Sequence, residues 1–134
     1  MEELVIEFHL NERSGLSPYQ QLVQQVRHAL RLGLLNEGDR LPTVKEVAGQ
    51  LAINPNTVLK AYRELEYEGL VAARPGVGTF VTRTLADATL AEHARLRGDL
   101  RRWLAEARRT GLDDESIEAL FMTTFRTTAG EDVA

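Results

Sequence analysis

Asn56, Thr57, Lys60 and Arg63 are the side chains of this chain best suited to reading another molecule. At about 100° per residue, Asn56, Lys60 and Arg63 fall on one side of a helix, with Thr57 flanking them. An asparagine amide matches the edge of adenine, and a lysine ammonium matches the O6 and N7 acceptors of guanine. A threonine methyl can touch that of thymine, while arginine and lysine also suit phosphate. The same stripe would serve equally as a solvated helix face, so its meaning rests on the elements around it. A second group, Arg74-Pro75-Gly76-Val77-Gly78, has the residues of a tight turn. Gly76 would let backbone approach a phosphate or a groove floor, and Arg74 would meet the minor groove or its rim.

The elements that must carry these groups are read from periodicity and caps. Thr43 and Glu46 form a capping box, and Val44, Val47, Ala48 and Leu51 give the helix that follows one apolar stripe. Ala52-Ile53 breaks it. Asn54 caps and Pro55 opens the next helix, whose inward face is Val58, Ala61, Tyr62 and Leu65. Gly69 ends that helix. Leu70-Val71-Ala72 and Thr79-Phe80-Val81 then read as two strands around the turn. Two short helices across a tight break, followed by a hairpin, make a helix-turn-helix with a wing, in which the first residues of the second helix reach bases. That context turns the polar stripe from a solvated face into a reading surface. The paired glycines do not read as an ATP loop, because no Gly-Lys-Ser/Thr follows and no helix opens at the second glycine.

Upstream, Leu4-Val5-Ile6-Glu7-Phe8-His9-Leu10 nearly alternates and predicts a short strand, with His9 in a structural place. Ser17, Pro18 and Gln20 start a helix with its stripe on Tyr19, Leu22, Val23, Val26, Ala29 and Leu30 and its stop at Gly33. Its polar face, Gln20, Gln24, Arg27 and Arg31, reads as solvated. Leu34 to Arg40 reads as a turn-rich connector. Downstream, Leu96, Leu100, Trp103, Leu104 and Ala107 mark a helix expected to begin near Leu85 or Asp87 and to stop at Gly111. Asp113 caps another, with Ile117, Leu120, Phe121 and Phe125 on its apolar face and a frayed tail from Thr127. Such a hairpin is too small for a comfortable core of its own, so its stripes want a partner. The arginines along it read as solvated surface with pairs such as Asp99 to Arg102.

A net charge of -4 is a mild argument against a nucleic-acid binder. The acids crowd the two ends, Glu2, Glu3, Glu7 and Glu12 in front and Asp113, Asp114, Glu115, Glu118, Glu131 and Asp132 behind. Only charge on one face within a Debye length of about 8–10 Å matters to a phosphate. No cysteine is present, which excludes disulfides and thiolate metal sites. No signal sequence is read at the start and no apolar run approaches about 20 residues, so a cytoplasmic protein without a membrane span is expected. His9, His28 and His93 are scattered without a serine partner or zinc spacing, so neither an enzyme nor a metal or cofactor site is expected.

The run LPTVKEVAGQLAINPNTVLKAYRELEYEGLVAARPGVGTFV resembles the DNA-binding domain of GntR-family bacterial regulators. Within it, the NPNTV-x-K-AY-x-EL-E-x-x-GL pattern is similar to that of the YtrA-like branch, which joins this domain to a short two-helix segment. The resemblance implies a homodimeric repressor on a palindromic operator in double-stranded DNA, often near transporter genes. An unidentified small-molecule effector is a further partner to expect, although the C-terminal segment is too short for the larger effector domains of other branches. It also implies that Lys45 contacts DNA from the second helix, that Asn54, Asn56, Thr57 and Lys60 form the recognition segment, and that Pro75-Gly76 form the wing tip. Many members carry arginine where this chain has Pro55 and Leu59, which removes a major-groove reader that Lys60 partly replaces. The expectation is a mostly α fold with a small β wing. Residues 1–83 are an N-terminal strand and winged helix-turn-helix domain, and 84–134 a C-terminal helical hairpin for dimerisation or effector response. The expected DNA-binding set is Thr43, Lys45, Asn54, Asn56, Thr57, Lys60, Arg63, Arg74, Pro75 and Gly76. A winged-helix module that binds protein rather than DNA is the competing reading.

Overall fold

Ser17 starts the first helix by donating its N–H and its hydroxyl to Gln20 Oε1, both at 3.0 Å. The computed structural model describes residues 6–86 and 90–132. Its elements are α1 (Pro18–Arg31), α2 (Val44–Leu51), α3 (Pro55–Tyr67), β1 (Val71–Arg74), β2 (Gly78–Val81), α4 (Leu90–Arg109) and α5 (Asp114–Asp132). They fall into two compact units, the first ending at Leu90 and the second beginning at Ala91.

In the first unit α3 is the hub, packing on α1, α2 and β1. Its inner residues Val58, Ala61 and Leu65 are fully buried, as are Leu22, Val26 and Leu30 of α1. Val47, Leu35, Leu41 and Leu70 close the core. Burying one Val or Leu side chain contributes about 1.5–3 kcal/mol. Packing of this face therefore outweighs any single cap, worth about 1 kcal/mol, in fixing where α3 lies. Tyr62 adds a directional tie. Its buried hydroxyl donates to the Pro42 carbonyl at 2.6 Å, joining α3 to the residue before the α2 cap. Burial, and then the charge of Glu46, push the Tyr62 phenol well above its usual range.

The break between α2 and α3 is made at Ala52, whose φ of 54° lies in the left-handed region that alanine enters only at a cost. Ile53 N–H closes on the Ala48 carbonyl at 3.1 Å, and Asn54 opens α3 by accepting Asn56 N–H on its side chain at 2.9 Å. In the wing, Val71 pairs with Val81 and Arg74 with Gly78. The loop is closed by Val77 N–H on the Arg74 carbonyl at 2.9 Å, with Gly76 at φ 76°, the sense a type II turn requires after proline.

Five expectations change. Ile6 to Leu10 form no strand, while Leu4 and Val5 lie outside the described residues. Ile6 and Phe8 are buried, but the backbone finds side chains instead of a partner strand. Gln25 accepts His9 N–H at 3.0 Å and donates to the His9 carbonyl at 2.6 Å. One turn earlier, the buried Gln21 accepts Asn11 N–H and donates to the Asn11 and Leu16 carbonyls. The connector from Leu34 to Arg40 ends as a third line of the wing. Gly38 N–H donates to the Val81 carbonyl, Val81 N–H to the Asp39 carbonyl and Leu41 N–H to the Thr79 carbonyl, and Arg40 bridges Phe80. Leu85 belongs to no helix; it packs on the first unit's core, and α4 begins at Leu90, with Asp87 outside the described residues. The tail from Thr127 stays helical, because α5 runs to Asp132. The α1 face is also less solvated than its composition implies, since Arg27 donates to both carboxylate oxygens of Glu68 at 2.7 Å.

In the second unit, Gly111 (φ 99°) turns the chain between α4 and α5, and Asp113 caps α5 by accepting Ser116 N–H at 2.8 Å. Ala107 and Ile117 are buried. Leu96, Leu100, Leu120, Phe121 and Phe125 remain exposed, from 41 to 62 %. Asp99 pairs with Arg102 and with Arg95. No helix among the described residues is long and apolar enough to cross a membrane.

Tyr62→Phe leaves the buried Pro42 carbonyl without its donor and costs about 1–3 kcal/mol in urea unfolding at pH 7. Because the folded state favours the neutral phenol, Tyr62 contributes stability that is complete below about pH 10 and is lost as pH rises through its raised folded value. The gap between wild type and Tyr62→Phe therefore narrows above about pH 10, and a gap constant with pH contradicts the assignment. Ala52→Gly relieves the left-handed alanine and raises stability by about 1 kcal/mol, read as a higher urea midpoint at unchanged slope.

Candidate nucleic-acid interface

The interface is built on the face of α3 opposite its buried residues. Asn56, Lys60 and Arg63 are exposed there, and Thr57 is half-buried. Asn54, also exposed, is committed to its cap through Oδ1. Lys45 is exposed on α2. Thr43 is half-buried and accepts Glu46 N–H at 3.1 Å, so it too works as a cap. Arg74, Pro75 and Gly76 are exposed at the wing tip, and the Arg74 guanidinium lies 4.8 Å from the centre of the Phe80 ring.

Not all of these residues border the same hollow. Thr43, Arg74, Pro75 and Gly76 line an open hollow of about 370 Å³ between the start of α2 and the wing. Lys45, Asn54, Asn56, Thr57, Lys60 and Arg63 do not line it. Lys60 meets α1 instead: its Nζ stands 3.9 Å from the centre of the Tyr19 ring. That distance is well within the range of a cation–π contact, worth about 0.5–1 kcal/mol at an exposed site.

Two participants escape a reading of the sequence alone. Tyr19 shows there only as part of the α1 stripe, and its contact with Lys60 spans elements that no local pattern connects. Arg40 shows only as the last residue of the turn-rich connector, although it lines the hollow with the wing tip. Its position directly before Leu41-Pro42 and the Thr43 cap is the available signal. Among the described residues no group of His, Asp and Glu could hold a metal ion.

The architecture is a winged helix-turn-helix with an appended helical hairpin, and comparison with known proteins places it further. Residues 18–81 match the pattern of the bacterial regulatory proteins of the gntR family. The chain is 34% identical over 110 residues to the HTH-type transcriptional repressor YtrA of Bacillus subtilis, covering 81% of this chain and 84% of that protein. A solved structure described as a transcriptional antiterminator from Listeria monocytogenes is 31% identical, with a TM-score of 0.56 and 89% and 90% of the two chains covered. YtrA from Sulfolobus acidocaldarius, described as a GntR-family transcription factor, is 28% identical with a TM-score of 0.52, covering 73% of this chain and 97% of that one. The chain belongs to the GntR family and to its YtrA-like branch. It is a transcriptional regulator with a DNA-binding domain, and its relatives are regulators, not enzymes.

The Lys60–Tyr19 contact makes a direct prediction in the free protein. The ring current of Tyr19 shifts the Lys60 ε-methylene protons upfield in NMR spectra, and Tyr19→Leu returns them to ordinary lysine values. Identical Lys60 shifts in the two proteins contradict the contact.

Proposed function

We propose that this protein is a cytoplasmic, homodimeric repressor that binds a palindromic operator, with transporter genes among its targets as the family resemblance implies. One observation carries the reading. Asn56, Lys60 and Arg63 stand exposed on a helix whose opposite face is buried to completion, so the rod is held rigidly while its polar side is available. Asn56 and Thr57 at the start of α3 read base edges in the major groove. Lys60 reads guanine. Leaving the Tyr19 ring costs it about 0.5–1 kcal/mol, less than the roughly 1–3 kcal/mol of discrimination a good base pairing supplies. Lys45, Arg63 and Arg74 bind phosphates or the groove rim, with Pro75-Gly76 carrying the wing tip against the duplex. Thr43 and Asn54 support the set by capping α2 and α3.

The homodimer is supported by the second unit. Its apolar residues Leu96, Leu100, Leu120, Phe121 and Phe125 are exposed. The last four of these line one groove with Trp103, an exposed apolar surface of the kind that marks an interaction site. Two-fold pairing through this face makes the operator a palindrome. The Bacillus subtilis relative carries the name of a repressor, which supports the direction of regulation.

Selection of bound sequences from random duplexes tests the reading. It should yield an inverted repeat, bound with strong salt dependence. Recovery of no sequence preference, or salt-insensitive association with protein alone, contradicts it. On the selected operator, Lys60→Ala should cost about 1–3 kcal/mol and relax preference at one position of each half-site. Arg63→Ala should weaken binding to all sequences alike and lower the salt slope by about 0.9 for each phosphate that is no longer neutralised.

A further inference from the structure

We propose that Arg40 and Arg74 together hold one backbone phosphate of the duplex in the hollow between the start of α2 and the wing, and that Gly78 is glycine so that Arg40 can lie there. The inference rests on the DNA-binding reading above and adds an anchor that neither helix of the helix-turn-helix supplies. Arg40 is placed by backbone. It bridges Phe80, and the next residue, Leu41, donates its N–H to the Thr79 carbonyl at 2.9 Å. Arg74 is placed by its side chain, which lies over the ring of the same Phe80. One residue of β2 thus steers both cations to the rim of one hollow of about 370 Å³, and none of the residues lining that hollow is acidic.

Gly78 provides the second, independent observation. A Cβ there would stand 3.0 Å from Arg40 Nε and 3.6 Å from its Cδ and Cζ. Its φ of 146° is also one that side chains rarely adopt. The guanidinium of Arg40 therefore occupies the space that any other residue at 78 would fill. Two guanidinium groups beside an open, acid-free hollow suit a singly charged phosphodiester, because arginine donates in a planar fork that matches phosphate oxygens. The hollow borders both the α2 cap and the wing tip, so a duplex that meets both passes its backbone across it.

The test measures operator affinity against salt concentration for wild type, Arg40→Gln, Arg40→Lys, Gly78→Ala and the Arg40→Gln/Gly78→Ala double variant. Arg40→Gln should weaken binding about tenfold, equally on operator and unrelated duplex, and lower the salt slope by up to about 0.9, since Arg74 stays beside the same phosphate. Arg40→Lys should keep the slope. Gly78→Ala should weaken binding as much as Arg40→Gln, and the double variant no more than either, because both changes act on the same phosphate anchor. Additive effects in the double variant would make Gly78 a turn residue only and overturn its assigned role. Should Gly78→Ala not fold, the two Arg40 variants decide the matter. Wild-type affinity and slope in Arg40→Gln overturn the phosphate anchor. Failure of the wild-type protein to bind any duplex instead removes the DNA-binding reading itself.

Discussion

Burial of one face of α3 is the constraint on which the rest of the first unit depends. Val58, Ala61 and Leu65 leave no surface in water, and Tyr62 is pinned through a single hydrogen bond to Pro42. Because α1, α2 and β1 all pack on this helix, none of them can move without disturbing it. The outer face of α3 is consequently fixed in direction by packing in which Asn56, Lys60 and Arg63 take no part. Interiors are packed as densely as organic crystals, so a reading surface backed in this way does not drift.

Around that helix, side-chain amides and one ion pair replace much of the regular structure a larger domain would use. Gln21 and Gln25, one turn apart on α1, offer the amino-terminal arm the same donor and acceptor that a neighbouring strand would offer. Arg27 and Glu68 close α1 against the end of α3, though both side chains are about a third exposed or more and the pair is correspondingly weak. The wing gains a third line from Gly38 to Leu41, which links the residues before α2 to β2. Through that link the wing and the start of α2 are parts of one backbone network.

What is legible in the sequence is local. The caps at Ser17, Thr43, Asn54 and Asp113 act on residues two to three positions away, so their chemistry is written in adjacent letters. The apolar stripes of α1, α2 and α3 are legible because their periods match the helix and their faces are buried. Long-range pairings are not. Alternation around Phe8 matches an alternating burial that a half-buried strand would also show, but among the described residues the segment pairs with no strand. The third line of the wing is too short and too rich in turn residues to show a period. Leu85 looks like the start of a helical stripe, but its side chain packs on the core of the first unit. Lys60 lies on the expected face, while its partner Tyr19 is forty-one positions earlier and becomes visible only in three dimensions.

Operator recognition of this kind requires the start of α3 to enter the major groove. The most direct measurement is methylation interference at guanine N7, which faces that groove alone. On a selected operator, methylating guanines within each half-site should abolish binding, in two patches about one helical turn apart. Undiminished binding to fully N7-methylated duplex, with competition only from a minor-groove ligand, would contradict a major-groove role for α3.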